Sequence, residues 1–244
     1  MTLGDNNWID CDSYWLHKYP QLTKEWIEER SYRLTTSLFG PVADPTFYRD
    51  REDVIKQFVD PPIKKDFIDE LASSHGIINE PIARKLYESR YGCQVDEVGL
   101  AVPKWDHRIG ASTDGVVVGT EGLIEIKSPG RMYSQINRYV SSIASGWNPP
   151  AGYHDHIFTS HYNQMQGAMA IMGKQWCDYI IFCPNDNKFF LERVDFNPDY
   201  WTNHLYPEIV LFLDVNKELF SSLRRKVGAP PCDSETFLLP IKPV

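Results

Sequence analysis

Residues 110–130, GASTDGVVVGTEGLIEIKSPG, read as a β-hairpin with its polar side chains on one face. Asp114–Val118 and Leu123–Lys127 are rich in β-formers, and GTEG between them is turn material. Pairing Val118 with Leu123 sets Asp114 opposite Lys127 and diagonal to Glu125. Opposed residues share a face, and so do Glu125 and Lys127, two residues apart on one strand. The two carboxylates then lie about 7–8 Å apart by backbone position, a gap that long side chains close. One reading of this pattern is a solvated sheet face. The other is a metal-dependent site for phosphodiester chemistry.

The second reading has a clear chemical logic. Two carboxylates and a strand carbonyl form a hard oxygen cage suited to Mg²⁺ or Mn²⁺. A cation so held polarises a phosphoryl oxygen and lowers the pKa of a bound water. Lys127 is positioned to orient or deprotonate that water, or to stabilise the pentavalent phosphorane. Upstream, GIINEPIARKLYESRYG (76–92) has Ile82, Ala83, Leu86 and Tyr87 at helical spacing and Gly92 as a stop. Pro81 suits a first turn and puts Glu80 at the helix start, where it either joins the acidic site or simply favours the helix dipole.

Around these segments the expected order is a helix, then β-β-α-α-β-β, then helix, a mixed α/β architecture on one core. Leu22–Arg33 reads as a helix with Trp26 and Ile27 as apolar anchors and Thr23 as cap. Thr35, Thr36 and Ser37 are cap residues for a second short helix, and 40–50 reads as loop. Asp60-Pro61-Pro62 breaks the chain before a helix over 64–73, and Val95–Val102 reads as a strand. A helix is expected over 132–142, then a long loop, 146–156. Residues 159–172 form a helix with Tyr162, Met165, Met169 and Met172 on one core stripe. A hairpin follows over 176–182 and 188–194, then a mostly helical stretch, 199–226, broken at Pro207. The expected unit is a single domain, 1–244, with a core of about 22–226 and irregular tails.

Composition agrees with a globular domain: 244 residues, 42% hydrophobic and 24% charged, with no repeat. The formal charge of −8 excludes a wholly basic surface but leaves room for a local basic groove. Five scattered cysteines without a CxxC pair suit free thiols in a reducing compartment. MTLGDNNWIDCDSYW has no basic-then-apolar leader pattern, and no apolar run nears the roughly 20 residues that span a bilayer. An intracellular protein is expected, neither secreted nor held in a membrane, in host cytoplasm or in the nucleus of a eukaryotic host.

Four stretches, in order, are EERSYRLTTS, GIINEPIARKLYE, GASTDGVVVGTEGLIEIKSP and HYNQMQGAMAIMG. Together they resemble the PD-(D/E)XK nuclease superfamily, and within it the lambda-type, YqaJ-like viral recombinase group of alkaline exonucleases. Thr113 stands where the superfamily name has proline. The resemblance implies a restriction-endonuclease-like α/β core, a central mixed β-sheet flanked by helices. It implies Asp114, Glu125 and the Ile126 carbonyl as metal ligands, Glu80 completing the acidic site, and Lys127 as catalytic lysine. Gln164 matches the glutamine of the family's Q-x-Q helix, with Gln166 its rival. Arg30, Ser37 and Ser112 match positions that bind a DNA 5′-phosphate, with Arg33 the substitute for Arg30.

By the same resemblance the activity is Mg²⁺-dependent 5′→3′ digestion of one strand at double-stranded DNA ends, with Mn²⁺ a substitute. Relatives form homotrimer rings and pass the 3′ strand to a single-strand annealing protein. Two other functions fit the residues, an endonuclease of the same superfamily and a non-catalytic DNA-binding or assembly protein on this fold. His154, His156 and His161 match no zinc-binding spacing and have no cysteine nearby. Lys64-Lys65, Arg84-Lys85, Arg131, Arg138 and Arg224-Arg225 supply either a local positive surface or ordinary solvated faces.

Overall fold

A computed structural model describes residues 7–45, 50–59, 75–128, 153–154, 157–184 and 188–224. The chain opens with β1 (Trp8–Cys11), β2 (Tyr14–His17), α1 (Lys24–Arg30) and β3 (Leu34–Thr35). A 3₁₀ turn (Thr36–Leu38) leads into α2 (Phe39–Ala43), followed by α3 (Arg51–Val59) and the long α4 (His75–Tyr91). Five short strands come next: β4 (Val95–Asp96), β5 (Ala101–Pro103), β6 (Ile109–Gly110), β7 (Gly115–Val117) and β8 (Gly122–Lys127). After β9 (Tyr153–His154) and β10 (Ile157–Phe158) lie α5 (Thr159–Met172), β11 (Trp176–Cys183) and β12 (Lys188–Asp195). The chain continues through α6 (Pro198–Tyr200), a π-helical turn (Trp201–Leu205), α7 (Tyr206–Val215) and α8 (Lys217–Arg224).

The central sheet has the order β12-β11-β8-β7-β4, mixed because β8 and β11 run parallel while the other pairs are antiparallel. β8 is the middle strand, and every residue from Gly122 to Ile126 is buried, as a strand covered on both faces requires. Alternation divides its side chains between two layers. Leu123, with Tyr179, Ile181 and Val194, joins the core containing Met165, Met169 and Met172 of α5. Ile124 and Ile126, with Ile180 and Phe182, pack with Ala83 and Tyr87 of α4. Tyr87 also donates from its hydroxyl to the buried Asp178 on β11 at 2.7 Å, and Arg193 meets that carboxylate through two nitrogens.

Several sequence expectations change in detail. The β7–β8 register is Gly115↔Ile124 and Val116↔Leu123, not Val118↔Leu123. The turn occupies Val118–Glu121, with Gly119 at φ +73°. Thr120 braces it, donating to the Val117 carbonyl and accepting from Gly122 N. A shift of two residues keeps every side chain on its face. It moves Asp114 level with Glu125 rather than Lys127. The strand expected over 95–102 is two strands in different sheets, because the chain crosses β2 between them. A Cβ at Gly99 would lie 2.3 Å from the His17 carbonyl oxygen.

Residues 40–50, expected as loop, begin with most of α2, where Phe39 and Val42 are fully buried. Pro41 falls in its first turn, where a missing N–H costs no helical bond. α4 begins at His75, so Pro81 is inside the helix rather than at its start. Residues 8–17, expected in an irregular tail, form a hairpin that pairs β2 with β5. Pro207 sits in the first turn of α7, directly after the π-helical turn, so the helical stretch changes its hydrogen-bond pattern there without ending. The helices expected over 64–73 and 132–142, most of the 146–156 loop, and the tail after 224 lie outside the described residues.

The elements expected at 22–33, 159–172, 176–182 and 188–194 are present with small changes of boundary. Thr23 caps α1 by accepting from Trp26 N, and Gly173 ends α5 in the left-handed conformation at φ +63°. Cys11, Cys93 and Cys177 carry free thiols. Among the described residues no helix is long and apolar enough to cross a membrane.

α5 reaches its position because α2 and its preceding turn are built to let it approach. A Cβ on Gly40 would meet Ser160 Cα at 2.6 Å, and one on Gly167 would meet the Phe39 ring at 2.6 Å. Gly40→Ala is therefore expected to destabilise the fold. The overpacking penalty of about 1–3 kcal/mol exceeds the helix-propensity gain of about 1 kcal/mol, because the obstacle is backbone. Thermal unfolding should register the difference as a lower Tm, about 2–4 °C per kcal/mol for a chain of this size.

Candidate active site

The loop before β7 fixes Asp114 through its neighbours. Thr113 is buried and donates its hydroxyl to the Ile124 carbonyl at 2.8 Å, while Gln21 holds the Thr113 carbonyl at 2.7 Å. Asp114 Oδ2 then accepts from Ile126 N at 2.6 Å. The carboxylate is thus tied across the hairpin to the residue between Glu125 and Lys127.

Glu125 is only 2% exposed, and its Oε1 accepts from Lys127 Nζ at 2.6 Å and Gln164 Nε2 at 2.8 Å. Lys127 Nζ also donates to Gln164 Oε1 at 3.2 Å, which closes a three-membered network between β8 and α5. Gln164 is the glutamine at this site. Its rival Gln166 is fully buried elsewhere, donating to the Asp195 carbonyl and accepting from Asn197 N.

Glu80 approaches from α4 and lies close enough to Asp114 and Lys127 to exchange charge effects with both. Burial, reinforced by Asp114, pushes its pKa up to about 7 against the pull of Lys127 and Arg84. Burial also raises Glu125 to about 8, outweighing the attraction of Lys127. Asp114 moves upward for the same first reason, opposed by Lys127, by the Ile126 amide and by the two arginines Arg84 and Arg30. Lys127 moves the other way from a typical buried lysine. Burial lowers its pKa, but Glu125, Asp114 and Glu80 together raise it and keep the ammonium charged.

Among the described residues, no three acid, histidine or cysteine side chains are gathered into a finished metal-ligand set. The chemistry of the donors nevertheless fits a divalent cation. Three half-buried or buried carboxylates lie close together: burial makes all three harder to ionise, and Asp114 adds to the effect on Glu80 and Glu125. Hard oxygen donors carrying surplus negative charge are what Mg²⁺ and Mn²⁺ select.

A second cluster lies beside Asp114. Arg30 donates from Nη2 to Ser37 Oγ at 2.7 Å, and Thr35 Oγ1 lies 3.2 Å from the same oxygen. The Arg30 guanidinium also rests over the Trp26 ring, 4.9 Å from its centroid. Trp26 Nε1 in turn donates to Ser112 Oγ at 3.0 Å. Arg30, Ser37 and Ser112 are therefore brought together, with Trp26 as the link. Arg33, the substitute for Arg30, is buried and paired with Glu29 at 2.6 Å, so it is committed to the interior.

The sequence reading missed two contributors. Arg84 was placed among surface cations, but its side chain is 12% exposed and donates to the Asp114 carbonyl at 3.2 Å while pairing with Glu97. Its spacing of four from Glu80 was the available signal. Trp26 was read only as an apolar anchor, and its indole N–H had no visible partner before folding. Among the three histidines, His154 stacks on Tyr162 at 3.6 Å and His161 Nδ1 lies 2.8 Å from the Tyr179 hydroxyl. Burial, with Lys127 nearby, depresses the His161 pKa to about 3, so the ring is neutral. His156 lies outside the described residues.

The mixed sheet covered on two faces and the Asp–Glu-x-Lys hairpin at its centre define a nuclease of the PD-(D/E)XK class. Residues 25–175 match the model of the YqaJ-like viral recombinase domain, and the chain belongs to that family. The alkaline exonuclease LHK-Exo of Laribacter hongkongensis is similar at 28% identity, over 84% of this chain and 97% of that one, with a TM-score of 0.60. That enzyme has also been solved in complex with dAMP. A phage-related exonuclease from Haemophilus somnus 129PT shares the fold at 10% identity and a TM-score of 0.50, over 80% and 96% of the two chains. No curated protein matches.

The raised carboxylates give a signed expectation for stability. Folding raises the pKa of Glu80 and Glu125 above the ordinary 4.5, so the native state holds more protons than the unfolded state up to about pH 8. Stability without divalent cations therefore falls as pH rises from 6.5 through 8; His161, neutral when folded and ordinarily titrating at 6.5, opposes this fall only at the low end of that window. Thermal melts should show a lower Tm at pH 8.5 than at pH 6.5. Glu125→Gln should flatten the difference, and a wild-type Tm constant across the window would contradict shared burial of the acids.

Proposed function

We propose that this protein is a Mg²⁺-dependent DNA exonuclease that digests the 5′-ended strand of linear duplex DNA and leaves a 3′ single strand for recombination. One observation carries the reading: the acids and Lys127 converge beside Arg30, Ser37 and Ser112 rather than apart from them. An acid–lysine centre adjoining an arginine and two serine hydroxyls suits an enzyme that grips a terminal phosphate and cleaves one nucleotide away. Family membership and the likeness to an alkaline exonuclease support it, as does that relative's complex with a deoxynucleoside monophosphate.

Asp114, Glu125, the Ile126 carbonyl and Glu80 would hold the divalent ion, with Mn²⁺ able to replace Mg²⁺. When bound, the ion polarises the scissile phosphate and makes a water nucleophilic near neutral pH. The other roles belong to the chain. Lys127, kept charged by its carboxylate neighbours, donates to the phosphoryl oxygens as negative charge grows on the pentavalent phosphorane. Gln164 holds Glu125 and Lys127 in register with α5. Arg30 offers a planar fork to the 5′-phosphate, and the Ser37 and Ser112 hydroxyls complete the grip. By the same reading the protein works inside the host cell, assembles as a homotrimer ring around DNA, and hands its 3′ strand to a single-strand annealing protein.

Degradation assays test each part. With Mg²⁺, 5′-phosphorylated linear duplex should be consumed while covalently closed circles survive; cutting of circles would favour an endonuclease of the same superfamily. Inert linear DNA would favour a non-catalytic DNA-binding role. Lys127→Ala should lower kcat by about 10²–10³-fold, the scale on which one transition-state donor acts. Arg30→Ala should instead erode the preference for 5′-phosphoryl over 5′-hydroxyl ends by about 10–100-fold, the scale of lost charge-assisted hydrogen bonds. A full preference in that variant would move the phosphate site elsewhere.

A further inference from the structure

Gln164 can bridge Glu125 and Lys127 only if α5 is held at a fixed height over β8. Its N-terminal turn has no side-chain cap, since Phe158 stands at the cap position. Such a turn frays unless something fastens it. The residue one turn before Gln164 on the same helical side is His161. Its Nδ1 lies 2.8 Å from the hydroxyl of Tyr179.

Tyr179 is not an arbitrary partner. It sits on β11 directly beside Glu125 in the parallel register, on the same face, and is 3% exposed. On its other side it is paired with Glu192 of β12. Two cross-links therefore join α5 to the sheet side by side: Gln164 to Glu125, and His161 to Tyr179 one helical turn and one strand away. We infer that His161 and Tyr179 form a positioning pair that sets the height of α5 and thereby the alignment of Gln164 with Glu125 and Lys127.

The pair acts through Gln164, without touching DNA. Imidazole and phenol supply one proton and one acceptor between them, so the buried link is satisfied without a net charge. A cationic partner here would face Lys127 in a poorly solvated space and would compete with it for Glu125. The Tyr179 ring also packs in the main core, and its hydroxyl is the part that meets His161. The inference rests on the proposed roles of Glu125, Lys127 and Gln164, and its test is separable from theirs.

The test is steady-state digestion of 5′-phosphorylated linear duplex with Mg²⁺, read with melts of the same proteins. Tyr179→Phe should lower kcat about five-fold, the scale of one hydrogen bond, with KM unchanged. His161→Leu should lower it at least as far, and His161→Gln, whose amide can still meet the phenol, should recover part of the loss. The double variant Tyr179→Phe/His161→Leu should be no slower than His161→Leu alone. Tyr200→Phe is the control, because it deletes a 2.6 Å tyrosine hydrogen bond to Asn163 elsewhere on α5. It should lower Tm to a similar degree and leave kcat intact. An unchanged kcat in Tyr179→Phe, an equal loss in Tyr200→Phe, or multiplied losses in the double variant would each overturn the pair. Lys127→Ala in the same assay separates the two levels. Full activity there would remove the proposed centre itself, whereas an inert Lys127→Ala beside normal Tyr179 and His161 variants would remove only this inference.

Discussion

A carboxylate buried in the middle strand of a sheet organises this molecule. Stripping an ion of water costs several kcal/mol unless charge and hydrogen bonds replace the lost hydration. Glu125 meets that demand with an ammonium two residues along its own strand and an amide from the helix above. The alternation of a strand supplies the first, because residues i and i+2 share a face. The second requires α5 to lie flat on that face, which the crossover between the parallel strands β8 and β11 provides. The same demand leaves Glu125 harder to ionise than a surface glutamate, and so receptive to added positive charge.

The acids converge from three directions. Asp114 comes from the preceding strand, held by Thr113 and by the Ile126 amide. Glu80 comes from α4, which packs against the opposite layer of the sheet and reaches the site near its own N-terminal half. Arg84, one turn further along, grips the Asp114 carbonyl and fastens helix to hairpin. Across from them, Trp26 joins α1 to Ser112, so the loop that delivers Asp114 is bonded to the helix that delivers Arg30. The acid cluster and the Arg30–Ser37–Ser112 group therefore share a wall.

Much of this was visible in the residues. Asp114, Glu125 and Lys127 could be placed on one face because a period of two survives any even shift of register, and the actual shift was two. The Met stripe of α5 read correctly because a 3.6-residue period over fourteen residues is hard to mistake. Errors gathered where local rules have exceptions. Pro81 looked like a helix start but lies inside α4, whose packing through Ala83 and Tyr87 outweighs one missing N–H. Residues 95–102, VDEVGLAV, looked like one strand because valines and other apolar residues recur along it, while its backbone changes partners at Gly99.

The sequence by itself determined the alternating hairpin, the amphipathic helices, the family resemblance and the set of residues able to form a site, because each depends on local period and residue type. Tertiary structure decided which equivalent candidate was used. Gln164 rather than Gln166 faces Glu125, because α5 turns the latter toward Asp195 and Asn197. Arg30 rather than Arg33 stays beside Ser37, because Glu29 takes Arg33 into the interior. Such choices depend on which neighbour neutralises a polar group once water is excluded, and that neighbour is distant in the chain and adjacent only after folding.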